Sequence, residues 1–228
     1  MFLQDEYEGY NGEYWSLPPR KILPKPFGPG HPPMWYACGN ISSYEMAGRY
    51  GLGVLGFSIG SITELEKVIG TYKKAVVNAE PIGAFVNDNV MVTSGAYVAE
   101  DGKKAVETAC LPGASYLGSN VYRYHDTFPH PEGVPVWPDL IPDPTPETIE
   151  YSIQAGGIIG DPDHALEQCR RWEAAGADQI SFGVGTAPHE ATLETIRLMG
   201  EHVIPKLDKD PVHRSTRMRD GTAAKAKA

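Results

Sequence analysis

Short apolar runs alternate with amphipathic stretches along most of the chain. The apolar runs predict buried strands over residues 34–38, 53–58, 90–99 and 179–185. Between them, apolar residues recur at the period of an α-helix. Because strands that alternate with amphipathic helices form βαβ units, we expect an α/β fold with a parallel sheet of four such units.

Capping residues mark where the helices start. Ser42 and Glu45 have the spacing of a capping box, which predicts a helix over 43–51. Ser61 and Glu64 have the same spacing and predict the next helix. Further helix starts are predicted at Asp101, Thr145-Pro146 and Asp161-Pro162.

Three helical stretches show an apolar stripe that predicts the buried face. The stripe after Ser61 consists of Leu65, Val68, Ile69, Tyr72 and Val76. The stripe after Asp161 consists of Ala165, Leu166, Cys169 and Trp172. The stripe of the last helix consists of Leu193, Ile196, Gly200, Val203, Ile204 and Leu207.

Proline and charge divide the chain into segments. Residues 1–32 are proline-rich and predict an extended connection, because proline at that density disfavours helix. Residues 33–207 hold the strands and helices, interrupted by a second proline-rich stretch over about 122–145. Residues 208–228 form a basic, Ala/Lys-rich ending that we interpret as a flexible tail.

Composition narrows the classes of protein. A chain of 228 residues can bury one sizeable core, and no apolar run is long enough for a membrane span. The net charge of −9 argues against a nucleic-acid surface. Three isolated cysteines and the absence of a signal-peptide pattern indicate free thiols in the cytoplasm.

A small polar loop stands between the first predicted strand and its helix. It contains Gly39, Asn40, Ser42 and Ser43. Free N–H groups and the dipole at a helix N-terminus favour an anion there, and small side chains let the ligand approach the backbone. The loop therefore predicts an anion site. The alternative interpretation is that Ser42 only caps the helix.

A serine hydrolase is the rival interpretation. Gly56-Phe-Ser58-Ile-Gly60 matches the G-x-S-x-G nucleophile elbow, and His189 and His202 follow it in hydrolase order. An elbow needs its helix to start at the serine, whereas Ser61 delays the helix by three residues. No His-Gly-Gly stretch precedes the motif, so an esterase that uses Ser58 is a minor alternative.

A metal site is not expected. His125, Asp126 and His130 lie close together, but in a proline-rich loop and not on one helical face. No cysteine or further carboxylate completes a recognisable ligand set.

An ordered series of short motifs carries a family resemblance over residues 8–207. The motifs are Tyr10-x-Gly12-Glu-Tyr-Trp, His31-Pro-Pro, Ser42-x-x-Glu-x-Ala-Gly-Arg-Tyr-Gly-Leu-Gly, Ile158-Ile-Gly-Asp-Pro-Asp-x-Ala and Arg170-Arg-Trp-Glu-Ala-Ala-Gly-Ala-Asp-Gln-Ile. In this order and spacing the chain resembles the bacterial luciferase-like family of flavin- or deazaflavin-dependent oxidoreductases. The resemblance implies a TIM barrel of eight βα units, of which this chain would be the second half.

The resemblance also implies a cofactor site. Gly39, Asn40 and Ser43 fall on the family's phosphate-contacting positions, with Ser42 as helix cap and further ligand. Phe57 and Ser58 fall at the end of a strand near the flavin ring. FMN with molecular oxygen is the first expectation for the cofactor, and a deazaflavin coenzyme with hydride transfer is the second. No residue has a context that marks it as catalytic.

The family places a variable lid over the substrate in the second proline-rich stretch. The aromatic and imidazole side chains there are Tyr122, Tyr124, His125, Phe128 and Trp137, which suggest a small apolar organic substrate. A two-component system would add a flavin reductase as partner. A half-barrel also leaves sheet edges unpaired. We therefore expect a homo-oligomer, a partner that supplies the other half of the barrel, or an inactive half that needs such a partner.

Overall fold

We analysed a computed structural model of the chain. The residues it describes are 4–26, 30–57, 61–111, 144–184, 187–210, 212 and 216–217. The chain starts with a small antiparallel hairpin of β1 (Tyr10–Asn11) and β2 (Ser16–Leu17), within the segment predicted as an extended connection. The Tyr10 and Trp15 rings pack together across it, with centroids 4.7 Å apart.

A parallel sheet of five strands organises the rest of the described chain. Its strands are β3 (Trp35–Cys38), β4 (Gly53–Phe57), β5 (Val90–Val98), β6 (Ile158–Gly160) and β7 (Gln179–Gly183). The nine-residue β5 is central: it pairs in parallel with β4, with β7 and, through its last three residues, with β6. The four predicted strands are confirmed as strands, and β6 is an addition that the sequence pattern did not indicate. The predicted burial was wrong for two of them, because Cys38 is the one buried residue of β3 and no residue of β7 is buried.

Seven α-helices connect or follow these strands in the described part of the chain. They are α1 (Ile41–Arg49), α2 (Ile62–Val76), α3 (Gly102–Ala109), α4 (Pro146–Ala155), α5 (Pro162–Ala174), α6 (His189–Leu198) and α7 (Ile204–Leu207). The predicted caps Ser61, Asp101, Thr145 and Asp161 all accept a hydrogen bond from a first-turn N–H. None of these helices is both long and apolar enough to cross a membrane.

The predicted apolar stripe of the last helix is only partly right. Val203 is fully buried, but Leu193, Ile196 and Ile204 are exposed. A π-helical turn over Met199–Val203 separates α6 from α7, and the Ile204 N–H reaches back to the Met199 carbonyl. Pro205 explains the turn, because proline has no N–H and its ring crowds the carbonyl four residues before it. The added residue rotates the buried face away from the regular 3.6-residue period.

The two faces of the sheet differ in burial. On the helix-covered face, Val54, Val90 and Val92 have no exposed surface. On the other face, the register aligns Ala37, Leu55, Met91 and Gln179 in one row across four strands, and none of them is buried. Because parallel sheets are normally covered on both faces, this open face is incomplete as a core.

The amino ends of the strands are held by polar contacts. The Asp178 carboxylate accepts hydrogen bonds from Lys73 Nζ at 2.6 Å and from the Val90 N–H at 2.8 Å. The buried Tyr72 hydroxyl lies 3.1 Å from the Leu52 carbonyl oxygen and 2.9 Å from that of Asn87. These contacts tie α2 to the starts of the strands.

Two glycines on neighbouring helices give a matched test of the α1–α2 packing. A Cβ at Gly48 would lie 2.7 Å from Ala75 Cβ and 2.9 Å from the Tyr72 carbonyl oxygen, whereas one at Gly70 would meet nothing within 4 Å. Gly48→Ala should therefore lower the free energy of unfolding by about 1–3 kcal/mol through overpacking. Gly70→Ala should raise it by about 0.5–1 kcal/mol through helix propensity. Urea denaturation followed by circular dichroism measures both, and equal effects would contradict the observed helix contact.

Candidate anion site

The loop from β3 into α1 lies at the carboxyl edge of the sheet. β3 ends at the buried Cys38, and Gly39 and Asn40 follow on the surface before α1 begins. Ligands of open α/β sheets bind outside the carboxyl ends of the strands. The predicted loop residues Gly39, Asn40, Ser42 and Ser43 are thus brought together at the edge where a ligand is expected.

Asn40, and not Ser42, caps α1. The Asn40 Oδ1 accepts a hydrogen bond from the Ser43 N–H at 3.0 Å, and Ser43 Oγ accepts one from the Asn40 N–H at 3.2 Å. The predicted box of Ser42 with Glu45 was wrong, so the helix starts at Ile41, two residues earlier than predicted. Asn caps helices as well as Ser does, but the Asn-x-x-Ser spacing lacks the Glu or Gln at the third helical position that usually signals a capping box.

The two serine hydroxyls are engaged within the loop. Ser42 Oγ donates to Asn40 Oδ1 at 2.7 Å, and Ser43 Oγ donates to the Asn40 carbonyl oxygen at 2.6 Å. Ser43 is therefore mainly a capping partner, whereas the exposed Ser42 hydroxyl can turn toward a ligand by giving up one hydrogen bond. The N–H groups of Ile41 and Ser42 have no acceptor within the helix, because they belong to its first turn.

Space and charge at the loop fit a phosphate. A Cβ built on Gly39 would meet no atom within 4 Å, so a ligand can approach the backbone there. The first turn of α1 carries no acidic residue that would oppose the positive end of the helix dipole. Two backbone N–H groups, the Asn40 amide and the Ser42 hydroxyl together form a donor set suited to a phosphate monoester or diester.

A buried tyrosine on α1 packs against β4. Tyr44, on α1, is only 3% exposed, and its hydroxyl lies against Gly56 in β4, where a Cβ would be 2.3 Å from the hydroxyl oxygen. Burial raises the pKa of Tyr44 to about 12, with the nearby Cys38 thiol as a secondary cause. Burial also raises the pKa of the Cys38 thiol, which donates to the Ser43 carbonyl oxygen at 3.4 Å.

The Tyr44 hydroxyl and the Cys38 thiol are therefore both neutral at physiological pH. The sequence offered no signal for Tyr44, since its place over Gly56 depends on the packing of α1 on the sheet.

The remaining predicted site residues are only partly described. The Phe57 backbone ends β4 and pairs with Thr93, so it does reach the carboxyl edge. Ser58 lies outside the described residues, and so do Asp126 and His130. The same is true of all the predicted lid residues, which are Tyr122, Tyr124, His125, Phe128 and Trp137. The hydrolase alternative loses support, because Ser61 caps α2 and the helix begins at Ile62, four residues after Ser58.

One cavity of about 460 Å³ lies elsewhere, between α3, α6 and the end of β5. Its lining includes Glu107, Glu190 and Glu194 with Lys104 as a cation. An excess of carboxylates is unsuited to an anion. The β3–α1 loop is therefore the better candidate for a phosphate.

Comparison with known proteins identifies the family. The model of the luciferase-like monooxygenase family matches residues 1–179. The chain belongs to this family.

Known relatives agree with this membership. The oxygenase component of a flavin-dependent trigonelline monooxygenase from Acinetobacter baylyi is 25% identical over 220 residues, which cover 92% of this chain and 58% of the relative. Among solved structures, the monooxygenase RslO1 from Streptomyces bottropensis matches with a TM-score of 0.67 at 20% identity, covering 90% of this chain and 57% of that one.

Two further solved structures differ in their cofactors. The oxygenating constituent of 3,6-diketocamphane monooxygenase from Pseudomonas putida, solved with FMN, matches with a TM-score of 0.57 at 16% identity, over 87% of this chain and 57% of that one. An F420-dependent secondary alcohol dehydrogenase matches with a TM-score of 0.55 at 14% identity, over 89% of this chain and 56% of that one. The fold is thus that of luciferase-like TIM barrels, and the chain spans less than two thirds of the length of these relatives.

The contact between Tyr44 and Gly56 gives a double-mutant test of the site's packing. Gly56→Ala should destabilise the chain by about 1–3 kcal/mol, because its Cβ would lie 2.3 Å from the Tyr44 hydroxyl oxygen. The same Cβ would lie 3.5 Å from Tyr44 Cζ, which is an ordinary contact. In a Tyr44→Phe background, Gly56→Ala should therefore cost much less. Thermal unfolding of the four chains measures the coupling, and strictly additive effects would contradict this placement of the hydroxyl.

Proposed function

We propose that this chain carries the cofactor-phosphate site of a flavin-dependent monooxygenase that uses FMN and molecular oxygen on a small apolar organic substrate. The observation that carries the proposal is the β3–α1 loop, where an Asn40-capped helix N-terminus opens at Gly39 and the N–H groups of Ile41 and Ser42 have no acceptor within the helix. Family membership supports the same function. A flavin-dependent relative and a fold shared with an FMN-containing structure support it further.

Residues of this chain would bind and orient the cofactor. The Ile41 and Ser42 N–H groups, the Asn40 amide and the Ser42 hydroxyl would hold the phosphate, while Ser43 keeps Asn40 in place. Phe57, the last residue of β4, and Ser58, which follows it in the sequence, would lie near the ring. The bound flavin supplies the oxygen chemistry, and the protein orients its reactive atom and excludes water. Tyr122, Tyr124, His125, Phe128 and Trp137 would contact the substrate from the lid.

A deazaflavin coenzyme with hydride transfer is the second candidate. It is favoured by the fold shared with an F420-dependent alcohol dehydrogenase. The phosphate loop serves both cofactors, because each carries a phosphate. Parallel titrations with FMN and with F420 would separate the two functions.

The proposed protein works with partners in the cytoplasm. The trigonelline monooxygenase relative is described as an oxygenase component, which supports a flavin reductase as the source of reduced cofactor. The three cysteines are unpaired, and Cys38 and Cys169 are buried, as is usual in a reducing compartment.

Completion of the sheet is part of the same proposal. None of the residues in the row of Ala37, Leu55, Met91 and Gln179 is buried, so the described residues do not complete this sheet face as a core. Since a TIM barrel fills its interior with side chains from all eight strands, further βα units would cover this face and pair with the edge of β3 that has no strand partner among the described residues. Those units would come from another polypeptide or from a longer form of this one. A second copy of the chain is the competing occupant, and an isolated half would be inactive.

The phosphate site can be tested with two substitutions that both retain the helix cap. Asn40→Asp keeps a capping oxygen but places a negative charge at the loop, whereas Asn40→Ser keeps the cap without a charge. Asn40→Asp should weaken FMN binding by about tenfold or more, because the carboxylate repels the phosphate. It should leave the binding of riboflavin, which lacks the phosphate, unchanged. Flavin fluorescence titration measures both, and an unaltered FMN affinity in the Asp variant would refute the assignment of the loop.

The open sheet face can be tested with neighbouring residues of β4. Leu55→Lys should cost less than about 1 kcal/mol of unfolding free energy and should reduce self-association, because Leu55 lies on the open face. Val54→Lys should unfold the chain, because Val54 is fully buried on the helix-covered face. Denaturation curves and light scattering measure these effects. A chain that Leu55→Lys destabilises as severely as Val54→Lys would show that the face is already covered.

A further inference from the structure

We propose that Gln179 and Ser181 of β7 form hydrogen bonds to the polar edge of the flavin ring. The proposal rests on the proposed function and adds to it residues that would recognise the ring, at a distance from the phosphate loop. The pyrimidine edge of a flavin carries carbonyl oxygens and an N–H group, with which an amide and a hydroxyl can pair.

Strand β7 directs its apolar and its polar residues to opposite faces of the sheet. Ile180 and Phe182 pack against the core on the helix-covered face. Because side chains alternate along a strand, Gln179 and Ser181 lie on the open face, with Gly183 beyond them. Gln179 is half-buried and Ser181 is exposed, and neither side chain forms a hydrogen bond among the described residues.

Polar residues are unusual at these positions. The interior of a TIM barrel is filled mainly by bulky, branched apolar side chains. The same face of the neighbouring strands is more apolar, with Leu55 on β4 and Met91 on β5. Once further units cover this face, an amide and a hydroxyl without partners would each cost free energy. A ligand that presents polar atoms to Gln179 and Ser181 would remove this cost.

The register places Ser181 level with the phosphate loop. Pairs across β4 and β5 connect Cys38, the last residue of β3, to Ile180 of β7. Gly39 and Ser181 each follow one of these two residues, so both lie one step further toward the carboxyl edge. Three strand spacings separate them, which is about 14 Å. FMN carries its phosphate and its ring at opposite ends of its ribityl chain and can bridge the two places.

The carboxyl side of Ser181 has room for a planar ring. Gly95 of β5 and Gly183 of β7 pair in register on the open face. Among described residues, a Cβ on Gly95 would meet no atom within 4 Å, and one on Gly183 would meet only the Ser94 carbonyl oxygen, at 3.8 Å. A ring can therefore approach the backbone of both strands while its polar edge is directed to Ser181 and Gln179.

The test measures the binding of FMN and of riboflavin to wild type, Gln179→Leu and Ser181→Ala by fluorescence titration. Because the two flavins share the ring, each substitution should weaken both affinities by the same factor, about three- to tenfold for one neutral hydrogen bond. Ser94→Ala is the matched control. Ser94 is buried and lies on the helix-covered face of β5, so its loss should leave both affinities unchanged. Circular dichroism verifies folding.

The Asn40→Asp variant separates this inference from the proposed function. If Asn40→Asp weakens FMN binding and the two β7 variants change neither affinity, the phosphate site stands and the ring contact is refuted. If the β7 variants weaken both flavins and Asn40→Asp weakens neither, the ring contact stands and the phosphate loop is refuted. If Ser94→Ala weakens binding as much as the β7 variants do, the effect is general and the ring contact is refuted. A wild-type chain that binds neither flavin refutes both.

Discussion

Burial of one face of the parallel sheet is the constraint on which the described structure depends. Val54, Val90 and Val92 lie in the middle of this face without exposed surface, and the stripes of α2 and α5 cover them. Each such side chain contributes about 1.5–3 kcal/mol when it leaves water. The contact also fixes the register, because a shift by one residue would turn these valines to the open face and bring Leu55 and Met91 against the helices. The close approach of α1, through Gly48 on one side and Gly56 on the other, follows from the same packing.

This packing fixes where α1 begins along the strand direction. That position decides whether the β3–α1 loop can present its N–H groups to an anion. The helix N-terminus lies at the carboxyl edge of the sheet, where a Cβ on Gly39 would meet no atom and the first N–H groups have no acceptor within the helix. The reciprocal hydrogen bonds of Asn40 and Ser43 keep the loop in shape without a ligand. A loop that is shaped before binding loses less conformational freedom when an anion arrives. The amino edge, by contrast, is closed by contacts such as those of Asp178.

The pattern of apolar residues predicted the larger elements of the fold and missed features that depend on single contacts. The apolar runs at β3, β4, β5 and β7 were long enough to be recognised as strands, whereas the three residues of β6 were too few. The loop was located from its small polar residues. Its cap was misassigned to Ser42, because both serines and Asn40 favour caps and only the hydrogen-bond geometry separates them. Pro205 was visible in the sequence, but a regular period does not foresee the π-helical turn before it.

Under the proposed function, the cofactor would contact two parts of the chain, the β3–α1 loop and the open sheet face, and each part affects which cofactor can bind. FMN and a deazaflavin coenzyme both present anionic phosphate oxygens, which donors at Asn40 and Ser42 can hold in either case. Groups that contact the ring add a second means of discrimination. Among described residues, the face directed away from the helices offers the apolar Leu55 and Met91, the hydroxyls of Thr93 and Ser181 and the amide of Gln179. The apolar side chains can pack against a ring, and the three polar side chains are those of the described strands that could hydrogen-bond to it. Under the proposed function, the choice of cofactor therefore depends largely on the units that cover the open face, and the described part of the chain supplies the phosphate end that either cofactor shares.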